Sequence, residues 1–341
     1  MSELTLLKAP QASQKPLLTL EERQVFLQET LDHLSCNVQG GLIHRCYLTP
    51  AALEYGGKFS SAPSNYMKPA EIGVIPIAAR NISHDFSHAH GTIGIENGPG
   101  MESAMRTKSI PFFSNLTGLH TWVGRDLSPA SIAIMPHIMG DELPNVRIIP
   151  DLSDFQEAAF PPNLGQGRKV IAEFGMTRGN MPGFPEDGFP YHVIKADFLR
   201  HRSRMKEGDI YTFTFDCNQN GSEVEAAYNS EWTTLWGREL LKSMKSELPF
   251  EGDFDPNSFD FRCIFYAQSH GGFNYMIANR KMEFSLAGKS FVKYKGDGIG
   301  ITNSYKMPKD IADQLSHDTG FKIRWNYGED RRVPMPTFSA I

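Results

Sequence analysis

The chain has 341 residues, of which 40% are hydrophobic, and a net charge of -5 at neutral pH. This length and composition suffice for one large or two modest domains with a buried core. The acidic balance and the scattered Lys and Arg argue against a nucleic-acid partner, and no stretch approaches the ~18 apolar residues of a membrane span. We therefore expect a small-molecule partner.

The N-terminal segment precedes the first predicted element. Residues 1–18 are polar and proline-punctuated, which predicts a flexible tail, and they lack the apolar core of a secretory signal. The four cysteines, Cys36, Cys46, Cys217 and Cys263, are too scattered for a disulfide framework or a zinc site. These features predict a cytoplasmic location.

The first predicted helix follows this tail. Thr19 and Glu22 have the spacing of a capping box, and leucines recur at helical spacing as far as Leu34. Residues 48–70 are rich in Gly, Ser and Pro and read as a loop that carries Tyr55 and Tyr66. These tyrosines either form one wall of a site or pack the loop against the protein body.

A glycine turn follows the next β-prone run. Residues 92–96 lead into Gly98-Pro99-Gly100, and such a turn after a strand lets the backbone approach a ligand closely. The same spacing also occurs in ordinary turns, so both interpretations stay open. Ser103 stands where a dinucleotide fingerprint has its third glycine, which disfavours a nicotinamide enzyme.

Asp126 closes the second apolar run, residues 121–126. An acidic residue at the end of the second strand of a βαβ unit can accept hydrogen bonds from both ribose hydroxyls. Together with the glycine turn, this residue predicts a cofactor that carries adenosine.

Apolar runs alternate with helix-length stretches over this part of the chain. The runs are residues 92–96, 121–126, 146–151, 169–175 and 209–217. The alternation is typical of a parallel sheet covered on both faces, in which a ligand lies beyond the carboxyl ends of the strands. Those ends carry Glu96, Asp126, Asp151, Asn180 and Asp216.

The alternation stops after the fifth run. Ser222 and Glu225 are predicted to cap a helix, and β-like segments follow at residues 261–267, 273–278, 281–287 and 290–294. These segments predict an inserted antiparallel unit. A helix at 308–317 and strands at 320–327 and 333–340 would return the chain to the parallel sheet as an antiparallel edge.

Six segments occur in the order IENGPG, GRDLS, EFGMTRGN, GDIYTFTFD, EAAYN and GIGITNSYK. At these spacings the chain resembles the histidine-specific, S-adenosylmethionine (SAM)-dependent methyltransferase family over roughly residues 50–341. The resemblance implies an α/β fold: a class I methyltransferase (Rossmann-like) sheet with a second, α+β substrate-binding domain. The implied SAM-binding domain is residues 68–218 plus 307–341, and the implied substrate-binding domain is residues 19–67 plus 219–306.

The resemblance also implies which residues bind SAM. Gly98 and Gly100 correspond to the SAM-binding turn, and Asp126 corresponds to the ribose ligand. Asp151 and Leu152 correspond to the pair that flanks the adenine.

The substrate residues are likewise implied by the resemblance. Asn180 corresponds to the asparagine that holds the α-amino group, and Tyr228 corresponds to the tyrosine that binds the carboxylate. Tyr66 and, more loosely, Tyr55 match pocket tyrosines, and Ser304 matches a serine that faces the substrate side chain. Asn180 and Tyr55 are the catalytic candidates; the alternative for Asn180 is that it stabilises its own turn.

Several positions depart from the family pattern. Thr302 stands where an acidic residue binds the imidazole, and losing a charged partner in a buried pocket is worth about 1.5–3 kcal/mol, enough to change the preferred substrate. Tyr275 falls where a smaller apolar side chain is usual. The family commonly has a lysine shortly after the glycine turn, where this chain has Ala104 and Met105. Arg106 and Lys108 are the possible substitutes. The acceptor's side chain is therefore open.

Two further candidates have competing interpretations. His84 and His88 are spaced for a metal, but no distant motif completes the set, so we predict a polar helix end and no metal site. Arg178, inside GMTRGN, either reaches an anionic substrate group or is solvated at the rim.

These residues predict a SAM-dependent N-methyltransferase that acts on a free amino acid or a close derivative. Asn and Tyr side chains suit this reaction because a carboxylate would favour the unreactive ammonium form of the acceptor. The alternatives are methylation of a side-chain nitrogen such as that of arginine, an aromatic amino acid as substrate, or a binding protein without turnover. The oligomeric state is left open, with a monomer favoured.

Overall fold

The computed structural model of the protein describes residues 17–85, 91–155 and 158–341. The predicted tail lies outside the described residues as far as position 16. Its last two residues are held in place, because the Leu17 N–H donates to Glu247 Oε1 at 3.0 Å and Leu18 is 7% exposed within a hydrophobic core. The tail prediction is therefore wrong for Leu17 and Leu18.

Helices and strands succeed one another along the chain as follows. The helices are α1 (Leu20–Leu34), α2 (Pro50–Ser60), α3 (Met67–Asp85), α4 (Glu102–Ala104), α5 (Ile110–Phe113), α6 (Pro129–Glu142), α7 (Tyr191–Ser203), α8 (Gly221–Tyr228), α9 (Glu231–Glu247) and α10 (Lys309–Asp318). The strands are β1 (Thr92–Asn97), β2 (Leu119–Asp126), β3 (Arg147–Leu152), β4 (Arg168–Glu173), β5 (Ile210–Phe213), β6 (Phe250–Gly252), β7 (Phe259–Tyr266), β8 (Gly271–Ala278), β9 (Met282–Leu286), β10 (Lys289–Lys293), β11 (Gly298–Tyr305), β12 (Phe321–Arg324) and β13 (Thr337–Ala340).

The chain divides into two compact units. Unit 1 consists of the chain up to Tyr66 together with Asn180–Phe189 and Gln219–Tyr305. Unit 2 consists of Met67–Gly179, Pro190–Asn218 and Lys306–Ile341. The main difference from the boundaries expected from sequence is the segment Asn180–Phe189, which belongs to unit 1 although it follows β4 of unit 2.

Unit 2 contains the predicted parallel sheet. In the part of the chain that the structure describes, its strand order is β12-β13-β5-β4-β1-β2-β3. The strands β1 to β5 pair in parallel, and β13 joins β5 antiparallel with β12 outside it. The five apolar runs and the antiparallel edge are thus confirmed. Because β2 and β4 flank β1, the strand order reverses at β1, where a parallel sheet opens a crevice beyond its carboxyl edge.

Unit 1 contains the predicted antiparallel strands, which form two separate three-stranded sheets of order β10-β9-β6 and β11-β8-β7. The strand β11 was not predicted, because its glycines and its Asn-Ser pair are typical of turns. Gly300 gives space to a side chain from outside the sheet, because a Cβ there would lie 1.9 Å from Gln39 Oε1.

The sheet β11-β8-β7 has two distinct faces. On the face that we call the helix-covered face, Met276 lies against α9, where a Cβ on Gly237 would lie 2.3 Å from Met276 Sδ. On the other face, which we call the aromatic face, the ring centroids of Phe273 and Tyr305 are 5.6 Å apart, and those of Phe273 and Tyr266 are 5.5 Å apart. Successive residues of each strand alternate between these faces, except at an irregularity of β11 between Gly300 and Thr302.

Helices α2 and α3 occupy most of residues 48–70, which the sequence predicted as a loop. The Thr49 hydroxyl accepts from the Ala52 N–H at 3.1 Å, and Pro50 occupies the first helical turn, where its missing N–H costs nothing. The small residues Ala52 and Gly56 are buried and let α2 pack closely against α9. Gly56 therefore serves helix packing.

The caps at the other helix starts follow local chemistry. The capping box of Thr19 and Glu22 begins α1, as predicted. The helix α8 is instead capped by Asn220, whose side chain accepts from the Glu223 N–H, so the predicted Ser222 cap is wrong by two residues.

Candidate active site

The glycine turn of unit 2 lies at the carboxyl end of β1, the strand at which the order reverses. Gly98 has φ +70° and Gly100 has φ +72°, and the Gly98 N–H donates to the Arg125 carbonyl at 2.8 Å. The nearest atom to a Cβ on Gly98 would be on Phe155 at 3.8 Å. Glycine is therefore required by the backbone conformation and not by crowding.

Asp126 lies against this turn. Its carboxylate accepts from the Gly100 N–H at 3.2 Å and from the Ser128 N–H at 2.9 Å. Ser131 Oγ lies 3.1 Å from Asp126 Oδ2 and 2.6 Å from the Gly100 carbonyl oxygen. The predicted proximity of the turn and Asp126 is thus confirmed, and a carboxylate with about four lone-pair directions keeps acceptor capacity for a ribose hydroxyl.

Asp151 and Leu152 end the neighbouring strand β3. Arg125, which is fully buried, donates from Nε to Asp151 Oδ2 at 3.0 Å, and the Ser153 hydroxyl donates to the same oxygen at 2.7 Å. Leu152 is 59% exposed, and Leu127, which follows β2, is 64% exposed. Two exposed leucines beside a carboxylate and a glycine turn fit an adenosine, whose base is apolar on its faces and whose ribose is a hydrogen-bond donor.

Sequence reasoning missed Arg125 and Leu127. A signal for Arg125 was available, because an arginine inside an apolar strand run has to find an internal partner. Leu127 had no such signal, since a single leucine at a strand end is ordinary.

Glu96 lies inside β1 and not beyond it. The side chain is 1% exposed, and the Ser109 hydroxyl donates to Oε1 at 2.7 Å. Burial raises the pKa of Glu96 to about 8, so its carboxyl group is mostly protonated at neutral pH.

The two candidates for the missing lysine behave differently. Lys108 Nζ lies 2.8 Å from Oε2 of the buried Glu71, whereas Arg106 is exposed and pairs with Glu102. Asp216, three residues after the end of β5, pairs with Lys306 at 2.8 Å, and both side chains are buried. The charges of unit 2 near its strand ends are therefore largely compensated internally.

Arg178 contradicts both alternatives considered from the sequence. Its guanidinium forms two 2.5 Å contacts with Glu173, a further contact with Asp197, and a 2.8 Å hydrogen bond to His201 Nε2. Burial and the nearby Arg178 lower the pKa of His201 to about 3, so the imidazole is neutral and accepts this bond. Arg178 is thus neither solvated nor directed to a ligand but belongs to a buried ionic cluster of unit 2.

Tyr228 and Ser304 lie together in unit 1. The Tyr228 hydroxyl donates to Ser304 Oγ at 2.7 Å. Thr302, two residues before Ser304 on β11, is 3% exposed and accepts from Asn274 Nδ2 at 2.9 Å. Asn274 lies two residues from Met276, so these polar side chains share the helix-covered face.

Tyr275 is on the opposite side of this sheet. It follows Asn274 on β8 and pairs with Gly300, and its ring lies 3.2 Å from a Cβ on Gly298. The sequence suggested that Tyr275 lies with Thr302 and Ser304. In the structure it does not, and Asn274 occupies that place. Only the register of β8 and β11 reveals this one-residue difference.

The remaining unit 1 candidates occupy different environments. Tyr66 is buried, and Tyr55 is partly buried and packs against the hydrophobic core, with Lys58 Nζ 5.8 Å from its ring centroid. Asn180 begins the segment Asn180–Phe189, whose Met181 carbonyl accepts from Asn303 Nδ2 at 3.0 Å.

Asn303 was not predicted as a functional residue. It is 1% exposed, and the same nitrogen lies 2.9 Å from the Gly183 carbonyl and 3.2 Å from the Gln39 carbonyl. This amide holds two turns of unit 1 against β11, including the one that follows Asn180. The signal in the sequence was its position inside GIGITNSYK, next to Ser304.

The described residues contain no group of three or more His, Cys, Asp or Glu side chains arranged to hold a metal ion. In the histidine-rich stretch, His84 is exposed, whereas residues 86–90, including His88, lie outside the described part of the chain. Across residues 17–85, 91–155 and 158–341, we find no helix with the length and apolarity needed to cross a bilayer.

Several solved structures whose titles name methyltransferases match this chain at low sequence identity. The CcbJ methyltransferase from Streptomyces caelestis matches at TM-score 0.41 and 10% identity, covering 78% of this chain and 95% of its own. SAM-bound CalS10, an amino pentose methyltransferase from Micromonospora echinaspora, matches at TM-score 0.39 and 11% identity, covering 84% and 96%. The CurJ carbon methyltransferase matches at TM-score 0.44 and 9% identity, covering 94% and 70%.

Sequence comparison is more specific. An uncharacterized protein of Sinorhizobium fredii, y4iF, is 23% identical over 245 residues, which cover 67% of this chain and 73% of the relative. The family model described as histidine-specific methyltransferase, SAM-dependent, matches residues 57–333. With its class I sheet and SAM as its cofactor, the chain belongs to the histidine-specific, SAM-dependent methyltransferase family.

Proposed function

We propose that this protein transfers the methyl group of SAM to an amine nitrogen of a free amino acid or a close derivative. The observation that carries the proposal is the hydrogen-bonded pair of Tyr228 and Ser304 in unit 1, with the pair of Asn274 and Thr302 on the same sheet. All four side chains are neutral. Neutral groups suit an amine acceptor, because a carboxylate beside the amine would stabilise its unreactive protonated form.

The cofactor is assigned to unit 2. When bound, SAM supplies an activated methyl group on a sulfonium. Gly98 and Gly100 would approach it with their backbone, Asp126 would accept from the ribose, and Asp151 with Leu152 would flank the adenine. The Gly100 and Ser128 N–H groups donate to the Asp126 carboxylate and fix its orientation, which supports this role.

The acceptor is assigned to residues of unit 1. Asn180 and Tyr55 would hold the amine with its lone pair exposed, after the ammonium has lost its proton to solvent. Tyr66 and Tyr228 would bind the rest of the amino acid, and Ser304 would contact its side chain. Orientation alone can contribute ~7–11 kcal/mol to lowering the barrier of such a transfer, so these residues need only position the nitrogen and exclude water.

Thr302 and Tyr275 support the proposal to different degrees, because they lie on opposite faces of the sheet. Thr302 contributes a buried hydroxyl to the same face as Ser304, which supports a substrate-binding role. Tyr275 lies on the aromatic face, so any contact with the acceptor would be separate from the one made by Ser304. The cytoplasm stays the compartment predicted from the sequence.

The test is the release of S-adenosylhomocysteine from SAM, measured with pools of amino acids and then with single members. Tyr228→Phe should raise the acceptor KM about 5- to 10-fold, the loss of one hydrogen bond, while leaving the Kd of S-adenosylhomocysteine unchanged. Asp126→Asn should do the reverse, weakening cofactor binding about 10-fold.

Two exposed positions provide matched controls: Tyr294→Phe in unit 1 and Asp141→Asn in unit 2 should change neither constant. Tight binding of S-adenosylhomocysteine with no product release from any pool would refute the transferase and indicate a binding protein. Release in which the methyl group is found on a side-chain nitrogen would contradict Asn180 as the residue that holds an α-amino group and would favour the alternative of side-chain methylation.

A further inference from the structure

Asn274 is buried, and only one of the two polar atoms of its side-chain amide forms a hydrogen bond among the described residues. The residue is 2% exposed, and its Nδ2 donates to Thr302 Oγ1 at 2.9 Å. Its Oδ1 is also buried, and within the described part of the chain it has no hydrogen-bond partner. Buried side-chain acceptors in folded proteins are nearly always paired, so this atom indicates a missing donor.

The surroundings of Asn274 change character along the helix-covered face. Two residues away on β8, Met276 is fully buried against α9 within the hydrophobic core. In the other direction the next cross-strand pair is Gly272 and Ser304, and Ser304 accepts from the Tyr228 hydroxyl. Asn274 therefore lies where an apolar core face gives way to the polar side chains that we assign to the acceptor.

The polar set on this face is neutral. Thr302 provides a hydroxyl at the position where the family resemblance places a carboxylate, and Asn274 adds an amide that donates to it. A cationic side chain would be buried there without a counter-charge, and an acidic side chain would meet the carbonyl end of the amide. An uncharged N–H or O–H donor matches the free Oδ1 directly.

We propose that Asn274 determines the side-chain specificity of the acceptor, with its Oδ1 accepting a hydrogen bond from an uncharged N–H or O–H donor. This inference rests on the proposed function. The acceptor class is then amino acids whose side chains carry a neutral donor, such as a carboxamide, a hydroxyl, a phenol, an indole N–H or a neutral imidazole. Thr302 acts as a positioning residue by fixing the other end of the amide.

The first experiment uses the unmodified protein and near-isosteric substrates. The kcat/KM for S-adenosylhomocysteine release is measured for glutamine against glutamate and methionine, for threonine against valine, and for tyrosine against phenylalanine. The proposal expects the donor-bearing member to be favoured at least 10-fold in the pair that fits the pocket, because a site built around a hydrogen bond rejects the analogue that lacks it. A preference for glutamate, or equal rates within every pair, would overturn the proposal.

The second experiment changes the amide itself. Asn274→Leu should reduce the preference within the best pair to about 2-fold or less, and Asn274→Asp should shift the preference toward arginine and lysine. Asn279→Asp, at an exposed asparagine just after β8, is the matched control and should leave all ratios unchanged. Unchanged ratios in both Asn274 variants would mean that the amide has a purely structural role.

Failure of the inference and failure of the proposed function give different results. If amino acids are methylated but selectivity ignores Asn274, only the inference fails. If no amino acid gives product while S-adenosylhomocysteine still binds, both fail. Because the substrate pairs are compared on the unmodified protein, the outcome does not depend on whether Asn274→Leu folds.

Discussion

Two carboxyl groups of unit 2 show how local surroundings set the chemistry of a residue. Asp126, at the end of β2, is partly exposed and receives two backbone N–H groups. Glu96, inside β1, is almost completely buried and receives one hydroxyl. Burial raises the pKa of Glu96 and favours its neutral acid, whereas Asp126 keeps access to solvent. The same functional group therefore suits ligand binding at one position and internal packing at the other.

The pH dependence of stability should report on Glu96. Its pKa is raised from the ordinary 4.5 to about 8 in the folded protein. Between these values the unfolded state loses a proton that the folded state retains, so the contribution of Glu96 is fully present below pH 4.5 and is lost as the pH rises to about 8. Relative to Glu96→Gln, the free energy of unfolding should fall by roughly 1.4 kcal/mol per pH unit over this window.

Urea unfolding of both proteins between pH 5 and pH 9 measures this difference. The exposed Glu142→Gln serves as the control and should run parallel to the unmodified protein. A constant difference between Glu96→Gln and the unmodified protein across the window would contradict a raised pKa.

At the scale of elements, glycine serves opposite purposes in β1 and α2. Gly94 is buried in β1, and a Cβ there would lie 2.6 Å from the ring of Phe113 in α5. Gly57 is exposed within α2, and a Cβ there would meet no atom within 4 Å. The first glycine allows a helix to lie against the central strand, whereas the second only weakens its helix.

Substitution by alanine should therefore have opposite signs at these two positions. Gly94→Ala should lower the free energy of unfolding by about 1–3 kcal/mol, because the Phe113 ring would have to move within a packed core. Gly57→Ala should raise it by about 0.5–1 kcal/mol, because alanine has the higher helix propensity. Chemical denaturation measures both; equal shifts of the same sign would show that packing is not the reason for Gly94.

The strand β11 shows how an element decides which residues can act together. Thr302 and Ser304 project to one face, and Asn303 between them projects to the other. Asn303 holds the turn that follows Asn180, while its neighbours meet Asn274 and Tyr228. One strand thus supports two sets of interactions that a linear motif cannot separate.

At the scale of the whole molecule, stability depends on buried ionic groups that the reaction does not use. Arg178 is 12% exposed and neutralises Glu173 and Asp197, whose side chains are 3% and 11% exposed. The neutral His201 completes the cluster. Removing one partner from such a cluster leaves an uncompensated buried charge, which is far more destabilising than the loss of a surface ion pair.

Arg178→Met should lower the free energy of unfolding by about 3–5 kcal/mol. Combining it with Glu173→Gln should restore part of this loss, so that the double variant is at least 1 kcal/mol more stable than the sum of the single changes predicts. The exposed pair of Arg280 and Asp253 is the matched control, and Arg280→Met should change stability far less than Arg178→Met does. Additive effects in the double-mutant cycle would contradict the cluster.

The sequence by itself determined the features that rest on local pattern. Alternating apolar runs identified the five parallel strands, the capping box identified the start of α1, and glycines followed by an acidic strand end identified the turn at Gly98 and its neighbour Asp126. Each depends on residues close together in the chain or on the common edge of a parallel sheet. The ordered motifs indicated the family because each motif is a short stretch of consecutive residues.

Only the tertiary structure decided which side chains are partners. Contacts distant in sequence decide that Arg178 is buried and that Leu127 and Leu152 are exposed. Strand register decides that Asn274, and not Tyr275, lies beside Thr302. A shift of one residue moves a strand side chain to the other face of its sheet, and no local pattern fixes that choice when both residues are polar.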